Sequence, residues 1–286
     1  MKSRYSKKYD RGIIWGRYGL LITFRLWVCI LLLSVFSTAL ANSKYTIYFY
    51  NPETNINNFA LLKSEFDKYL SDYGPFQFQP FSDRDTFEKF LFEKRDGVFL
   101  LSSWHYRDLM RKYPIESVFV GIVNGKSTHK KVLSTKESIA NIDSLRGKSV
   151  ASSGSEDYTK NMLIQMLGEE RVDIVDSLKI LTVPKDIDAL MAVGFEMANF
   201  ALSTESTLTK LLAINPKQYG MLKQLVSKET LLQIVAVPKQ PDENIKFLLT
   251  IIEMMEAAPV GRSNLKMISL DGWKKIGEAE RMLLEE

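Results

Sequence analysis

The 286-residue sequence predicts an α/β protein of two lobes, each a mainly parallel sheet flanked by helices, with crossover strands joining them. Three observations lead there. From Lys44 onward, short β-rich runs alternate with longer stretches of helical apolar period. Hydrophobic residues make up 45% of the chain and charged residues 25%, and the length suffices for two separate cores. No repeat, low-complexity tract or linker interrupts the pattern, so the crossings between lobes are short and close together, as in a hinge that opens and shuts on a ligand.

Thr46 to Tyr50 reads as the first strand. Asn51-Pro52-Glu53-Thr54 follows as a turn and cap, then a helix with Phe59, Leu62, Phe66 and Leu70 on one stripe. A second strand, Phe76 to Phe81, leads to a helix capped near Ser82 or Asp83 with Phe87, Phe90 and Leu91 inward. Val98 to Leu101 is a third strand, running through Ser102-Ser103 into a short helix from Trp104 to Lys112. Val118 to Val123 and the lysine-bearing stretch to Ser134 read as strand and crossover.

In the second lobe, Ser149-Val150-Ala151 is a strand, and Ser152-Ser153-Gly154-Ser155 opens a helix carrying Met162, Leu163, Met166 and Leu167. Strand 180–183, helix 187–193, strand 197–202 and helix 206–214 complete it. The chain returns to the first lobe through Leu232 to Val237 and ends in helix 244–257 and the segment 268–284. The expected boundaries are 42–134 and 228–286 for the first lobe and 135–227 for the second.

Residues 1–41 read as a signal segment. A long basic stretch precedes the uncharged apolar run Leu26 to Phe36, and Ala39-x-Ala41 is a small-residue cleavage pattern. The run is short for a bilayer span, which needs roughly 20 residues. A retained membrane anchor is the alternative. Seven of the 38 basic residues but only one of the 34 acidic residues lie in this segment. The remainder therefore carries 31 basic and 33 acidic residues, a net of −2, and shows no electrostatic footprint for nucleic acid. The single cysteine, Cys29, lies inside the apolar run without the small-residue setting of a lipoprotein site. The chain after residue 41 has no thiol, which suits an exported, periplasmic protein held together by its core alone.

In parallel α/β sheets, ligands bind beyond the carboxyl ends of strands, where helix N-termini offer backbone N–H groups to anions. Three segments have that context: Asn51 to Asn55, Ser102 to Tyr106, and Ser152 to Ser155. Capping alone explains a serine at a helix start, but three such ends on a two-lobed chain favour a ligand. Glu156 and Asp157 oppose a dianion unless they point outward. Tyr50, Trp104, His105 and Tyr106 are placed at the mouth of the cleft, where tyrosine hydroxyls donate to oxyanions. Arg84 reads as a solvated cation that is also placed to lend positive charge. His105 and His129 have no metal-ligand spacing. Glycine-rich nucleotide loops, His-Glu-x-x-His and Gly-x-Ser-x-Gly are all absent, so neither catalysis nor a cofactor is expected.

These features together resemble the phosphate/phosphite/phosphonate-binding branch of the type 2 periplasmic binding proteins, the solute receptors of ABC importers. The resemblance rests on Asp143 to Ala151, similar to the family's approach to its second lobe, and on Ser152 to Ser155, similar to its Ser/Thr-rich anion loop. Val193 to Ala198 and Leu270-Asp271-Gly272-Trp273 add to it, although Met197 stands where the family usually has Asp. The resemblance implies a binder of a small oxyanion such as phosphonate or phosphate. Ser152, Ser153 and Ser155 would hold it from the second lobe, with Tyr50, Thr54, Ser103 and Tyr106 closing from the first. The expected partner is an ABC permease or, in the alternative of a ligand-sensing component, a membrane sensor. The protein itself is expected to be a monomer.

Overall fold

The computed structural model describes residues 45–93, 97–136, 138 and 141–285. The expected signal segment and Cys29 lie outside them. The strands are Tyr45–Tyr50 (β1), Phe76–Pro80 (β2), Val98–Leu101 (β3), Ile115–Ile122 (β4), Thr128–Lys136 (β5), Ser149–Ser152 (β6), Lys179–Thr182 (β7), Phe200–Thr204 (β8), Leu222–Leu231 (β9), Ile234–Pro238 (β10) and Gly272–Lys275 (β11). The helices are Phe59–Ser71 (α1), Arg84–Glu93 (α2), Ser103–Met110 (α3), Glu156–Leu167 (α4), Val172–Asp176 (α5), Asp186–Gly194 (α6), Glu205–Ile214 (α7), Pro216–Tyr219 (α8), Glu243–Glu253 (α9), Pro259–Met267 (α10) and Glu278–Glu285 (α11). Among the described residues no helix is long and apolar enough to cross a membrane.

Two sheets form the two lobes, ordered β11-β4-β10-β3-β1-β2 and β7-β6-β8-β5-β9. Each has a parallel core, β2-β1-β3 in one and β7-β6-β8 in the other, bordered by antiparallel strands. The sheets are thus mixed. The antiparallel strands include those that carry the chain between lobes, β4 into β5 and β9 into β10.

The interior follows from strand alternation with both faces covered. Along β1, Ile47 and Phe49 face a cluster with Leu62, Phe66, Phe78 and Leu248, while Tyr48 and Tyr50 face another with Phe87, Leu91, Phe99 and Leu109. In the second lobe Val150, Phe200 and Leu202 pack on α4 and α5, and Ala151 and Ala201 pack on α6 and α7. Helix starts are set by short polar side chains. Asn58 Oδ1 accepts from Leu61 N at 2.9 Å, and Asp83 Oδ1 accepts from Thr86 N at 2.8 Å, so Asp83 rather than Ser82 caps α2. Phe90, expected inward, is half-exposed and leans on Phe81 with ring centroids 5.3 Å apart.

The chain changes sheet at 123–127 and at 232–233, not at the expected 134/135 and 227/228. All of β5 and β9 belong to the second sheet, where they pair with each other along their length. The sequence reading missed β9 because its Lys, Gln, Ser and Glu residues mask the alternation; it is an edge strand, half open to water. Before β5, Asn124-Gly125 makes a two-residue turn with φ of 51° and 75°, a type I′ geometry that favours this residue pair.

Phe66 is 1% exposed and stacks on Phe78 with centroids 4.1 Å apart. Phe66→Ala is expected to lower unfolding free energy by about 3–5 kcal/mol in urea titration. Phe195→Ala, at a position 67% exposed, is expected to change it by less than about 0.5 kcal/mol.

Candidate functional site

The site grows from the turn after β1. Asn51 Oδ1 accepts from Glu53 N at 3.0 Å, and Thr54 Oγ1 donates to Asn51 O at 2.8 Å. Asn55 takes the left-handed conformation with φ 55°, which Asn tolerates better than most residues. This tight turn aims Glu53 inward, at 9% exposure, across the space between the lobes.

There its Oε1 meets Lys131 Nζ of β5 at 2.8 Å. Lys131, itself 2% exposed, also lies 3.3 Å from Asp186 Oδ2 at the start of α6. Asp186 is fully buried and fully engaged: Oδ2 accepts from Thr204 N at 2.9 Å, and Oδ1 accepts from Ser153 Oγ at 2.5 Å. Burial by itself would depress the Lys131 ammonium, but the carboxylates of Asp186 and Glu53 outweigh it and hold it above the ordinary lysine range. His129 Nε2 lies 3.6 Å from Glu53 Oε2. Burial and then the Lys131 charge push this imidazole down to about 4, so it is neutral at physiological pH. The lobe interface thus holds two buried carboxylates against one buried ammonium.

Other contacts stitch the lobes around this centre. Asn55 Nδ2 donates to Thr207 Oγ1 at 3.0 Å and Asn55 Oδ1 accepts from Ile187 N at 2.9 Å. Trp104, from α3 of the first lobe, stacks on Tyr158 of α4 at 4.8 Å and is buried within the second lobe's core.

Tyr50 and Ser153, two of the seven expected ligand residues, come together. They line one cavity of about 300 Å³ between the lobes, with Arg84 at the start of α2 and Thr182 at the end of β7. Thr54 lines a second cavity, of about 530 Å³, but its hydroxyl proton is held within its own turn. Ser152 Oγ accepts from Gly154 N at 3.2 Å. Ser155 caps α4 through Tyr158 N at 3.1 Å, and its hydroxyl points across the cleft to Asp108 Oδ2 at 3.3 Å. Ser103 donates to Leu231 O at 2.7 Å, tying α3 to the end of β9.

Tyr106 departs from expectation. It turns into the first lobe's core at 3% exposure, and its hydroxyl accepts from Ser117 N at 3.0 Å, so it does not face the cleft. His105 is likewise interior, 2.9 Å from Glu88. Gly154 is explained by packing: a Cβ there would stand 2.2 Å from the Tyr158 ring. The segment after α6 is an outward turn in which Phe195 and Met197 are exposed and Glu196 pairs with Lys136 at 2.6 Å.

The sequence reading singled out the segment Asn51 to Asn55, which holds Glu53 and Asn55, but passed over Lys131 and Asp186. The one signal for Lys131 was a lysine immediately before the apolar pair Val132-Leu133 of β5.

Lys131→Met leaves two buried acids without their cation and is expected to cost about 3–5 kcal/mol in urea titration; a loss below about 1 kcal/mol would refute the buried pairing. Unfolded His129 takes up a proton as pH falls through 6.5, while the folded imidazole stays neutral to about 4. Acid therefore favours the unfolded chain, and stability falls across that window by up to about 3 kcal/mol from this residue. Subtracting the stability–pH curve of His129→Asn from that of the unaltered protein should isolate that slope.

By sequence, no family model and no curated protein matches the chain. Solved structures match in shape. A binding-protein component of an ABC phosphonate transporter from Pseudomonas aeruginosa aligns at 14% identity and TM-score 0.68, over 85% of this chain and 86% of that one. PhnD1 from Prochlorococcus marinus, solved with methylphosphonate, aligns at 13% identity and TM-score 0.64, over 84% and 95%. The periplasmic aliphatic sulphonate binding protein SsuA from Escherichia coli aligns at 12% identity and TM-score 0.57, over 86% and 90%. At these identities the likeness speaks for architecture: the fold is that of the type 2 periplasmic binding proteins.

Proposed function

We propose that the chain is the exported solute receptor of an ABC importer, closing its lobes without catalysis on a small phosphonate- or phosphate-like oxyanion. The observation that carries this reading is the cavity of about 300 Å³ in which Tyr50 and Arg84 of one lobe face Ser153 and Thr182 of the other. Arg84 is held only loosely by its acidic neighbours, 3.6 Å from Glu88 and 3.9 Å from Asp85, so its donors are available to an anion. It also opens a ten-residue helix, whose N-terminal dipole favours negative charge. The phosphonate and sulphonate ligands named for the similar structures lend support.

Binding would exchange the solvent in this cavity for an oxyanion held from both sides. Ser153 gives its only proton to Asp186, so Arg84 and the Tyr50 hydroxyl are the principal donors, and the serine must rotate to contribute. The two short crossings at 123–127 and 232–233 serve as the hinge.

Calorimetry of the protein with methylphosphonate, phosphate, phosphite and sulphonates tests the reading. At least one should bind, and Arg84→Leu and Ser153→Ala should each weaken it by about tenfold or more. Affinity unaltered in both variants would remove the site.

A further inference from the structure

The larger cavity, of about 530 Å³, has a different chemistry. It lies between the turn after β1, the two crossings, and the start of α7. Val123, Leu232 and Leu270 supply apolar wall, and its polar residues include Glu53, Glu205 and Gln233.

Gln233 is the telling residue. It is 4% exposed, and its Nε2 donates to Ile268 O at 2.7 Å, which fixes the amide's orientation. Its Oε1 is thereby left as a buried acceptor with no partner, an unfavourable state unless something donates to it. Glu53 leaves a second acceptor open. Its Oε1 is taken by Lys131, but Oε2 is 3.6 Å from the nearest ring nitrogen of His129, beyond hydrogen-bond reach. Glu205 adds a second carboxylate from α7.

Several donors on the wall are already engaged, Thr209 Oγ1 with Glu205 O among them. Thr54 spends its proton on Asn51 O, and Ser206 Oγ lies 3.0 Å from Thr204 Oγ1. His129 is uncharged, and Lys126 is an exposed residue at the rim. The Glu205 carboxylate, the open Oε2 of Glu53, whose Oε1 pairs with Lys131, and an unmet amide oxygen therefore face one solvated ammonium. Among the described residues no group of His, Cys, Asp and Glu could hold a metal ion, and the apolar wall calls for an organic body.

We propose that this cavity is a second ligand site, which takes a primary ammonium carried on a compact apolar group. The ammonium donates to Gln233 Oε1 and the Glu53 carboxylate, with Glu205 supplying charge, while the apolar group packs on Leu232 and Leu270. The site is separate from the one formed by Tyr50, Arg84 and Ser153, and it takes ligands of the opposite charge.

The test is calorimetry of the full chain with 2-phenylethylamine, with tetramethylammonium as a cation lacking N–H donors, and with methylphosphonate. Phenylethylamine should bind, tetramethylammonium should bind at least about tenfold more weakly, and Gln233→Leu and Glu205→Gln should each weaken phenylethylamine by about tenfold. Far-UV circular dichroism checks that Gln233→Leu folds; Glu205 is exposed, so its variant keeps the test decisive if the other does not. Absence of phenylethylamine binding, or binding that Glu205→Gln leaves unaltered, overturns the site. Heat from methylphosphonate with none from phenylethylamine overturns it while leaving the oxyanion reading intact, and the converse supports it while removing that reading.

Discussion

Lys131 is the constraint around which the two lobes are arranged. Its ammonium lies in the interface between a carboxylate from each lobe, Glu53 of the first and Asp186 of the second. Removing a charge from water costs several kcal/mol per ion, so none of the three tolerates the loss of its partners. The consequence reaches outward along each chain segment. The turn after β1 must hold Glu53 inward, β5 must carry Lys131 across from the crossing, and the loops before α4 and α7 must supply Ser153 and the Thr204 amide to complete Asp186. The lobes are thereby locked to one another by polar geometry, with the Asn55 bridges and the Trp104–Tyr158 stack filling in around it.

The same centre divides the cleft. On one side lies the smaller cavity with Arg84, and on the other the larger one with Glu53, Glu205 and Gln233. The serine loop that looks from sequence like a ring of donors has all three side chains engaged within the protein, two of them as donors. Ser152 serves Gly154, Ser153 serves Asp186, and Ser155 serves both its helix and Asp108. A hydroxyl has one proton to give: those of Ser153 and Ser155 go to carboxylates, while Ser152 is held as an acceptor.

The fold was legible because its signals are local. Strand runs such as Ile47 to Tyr50, the cap at Ser82 or Asp83, and the apolar stripe of α1 each declare themselves within a dozen residues, although the cap of α1 is Asn58 and not the expected turn at Asn51 to Thr54. β9 was not, since an edge strand facing water has no apolar alternation to show. The candidate site was partly legible. Helix-start chemistry pointed to Ser153 and the aromatic pattern to Tyr50, which share a cavity, but the aromatic pattern also promoted Tyr106, whose hydroxyl satisfies a strand amide in the core. Glu53, Lys131 and Asp186 are far apart in sequence, and nothing in a carboxylate's neighbours says that a lysine on another strand will reach it. Charge pairing of this kind is a tertiary property, visible only when the chain is folded.

Trp104 gives the architecture a kinetic side. It belongs to the first lobe by connectivity but is 3% exposed within the core of the second. Parting the lobes means withdrawing an indole from a packed interior. At about 25 cal/mol for each Å² of apolar surface, that costs several kcal/mol. A molecule able to enter only through a form with the lobes parted would bind with an affinity scaled down by the small population of that form. The same barrier slows escape once the molecule is inside. Such an arrangement would trade speed of exchange for retention of whatever lies between the lobes.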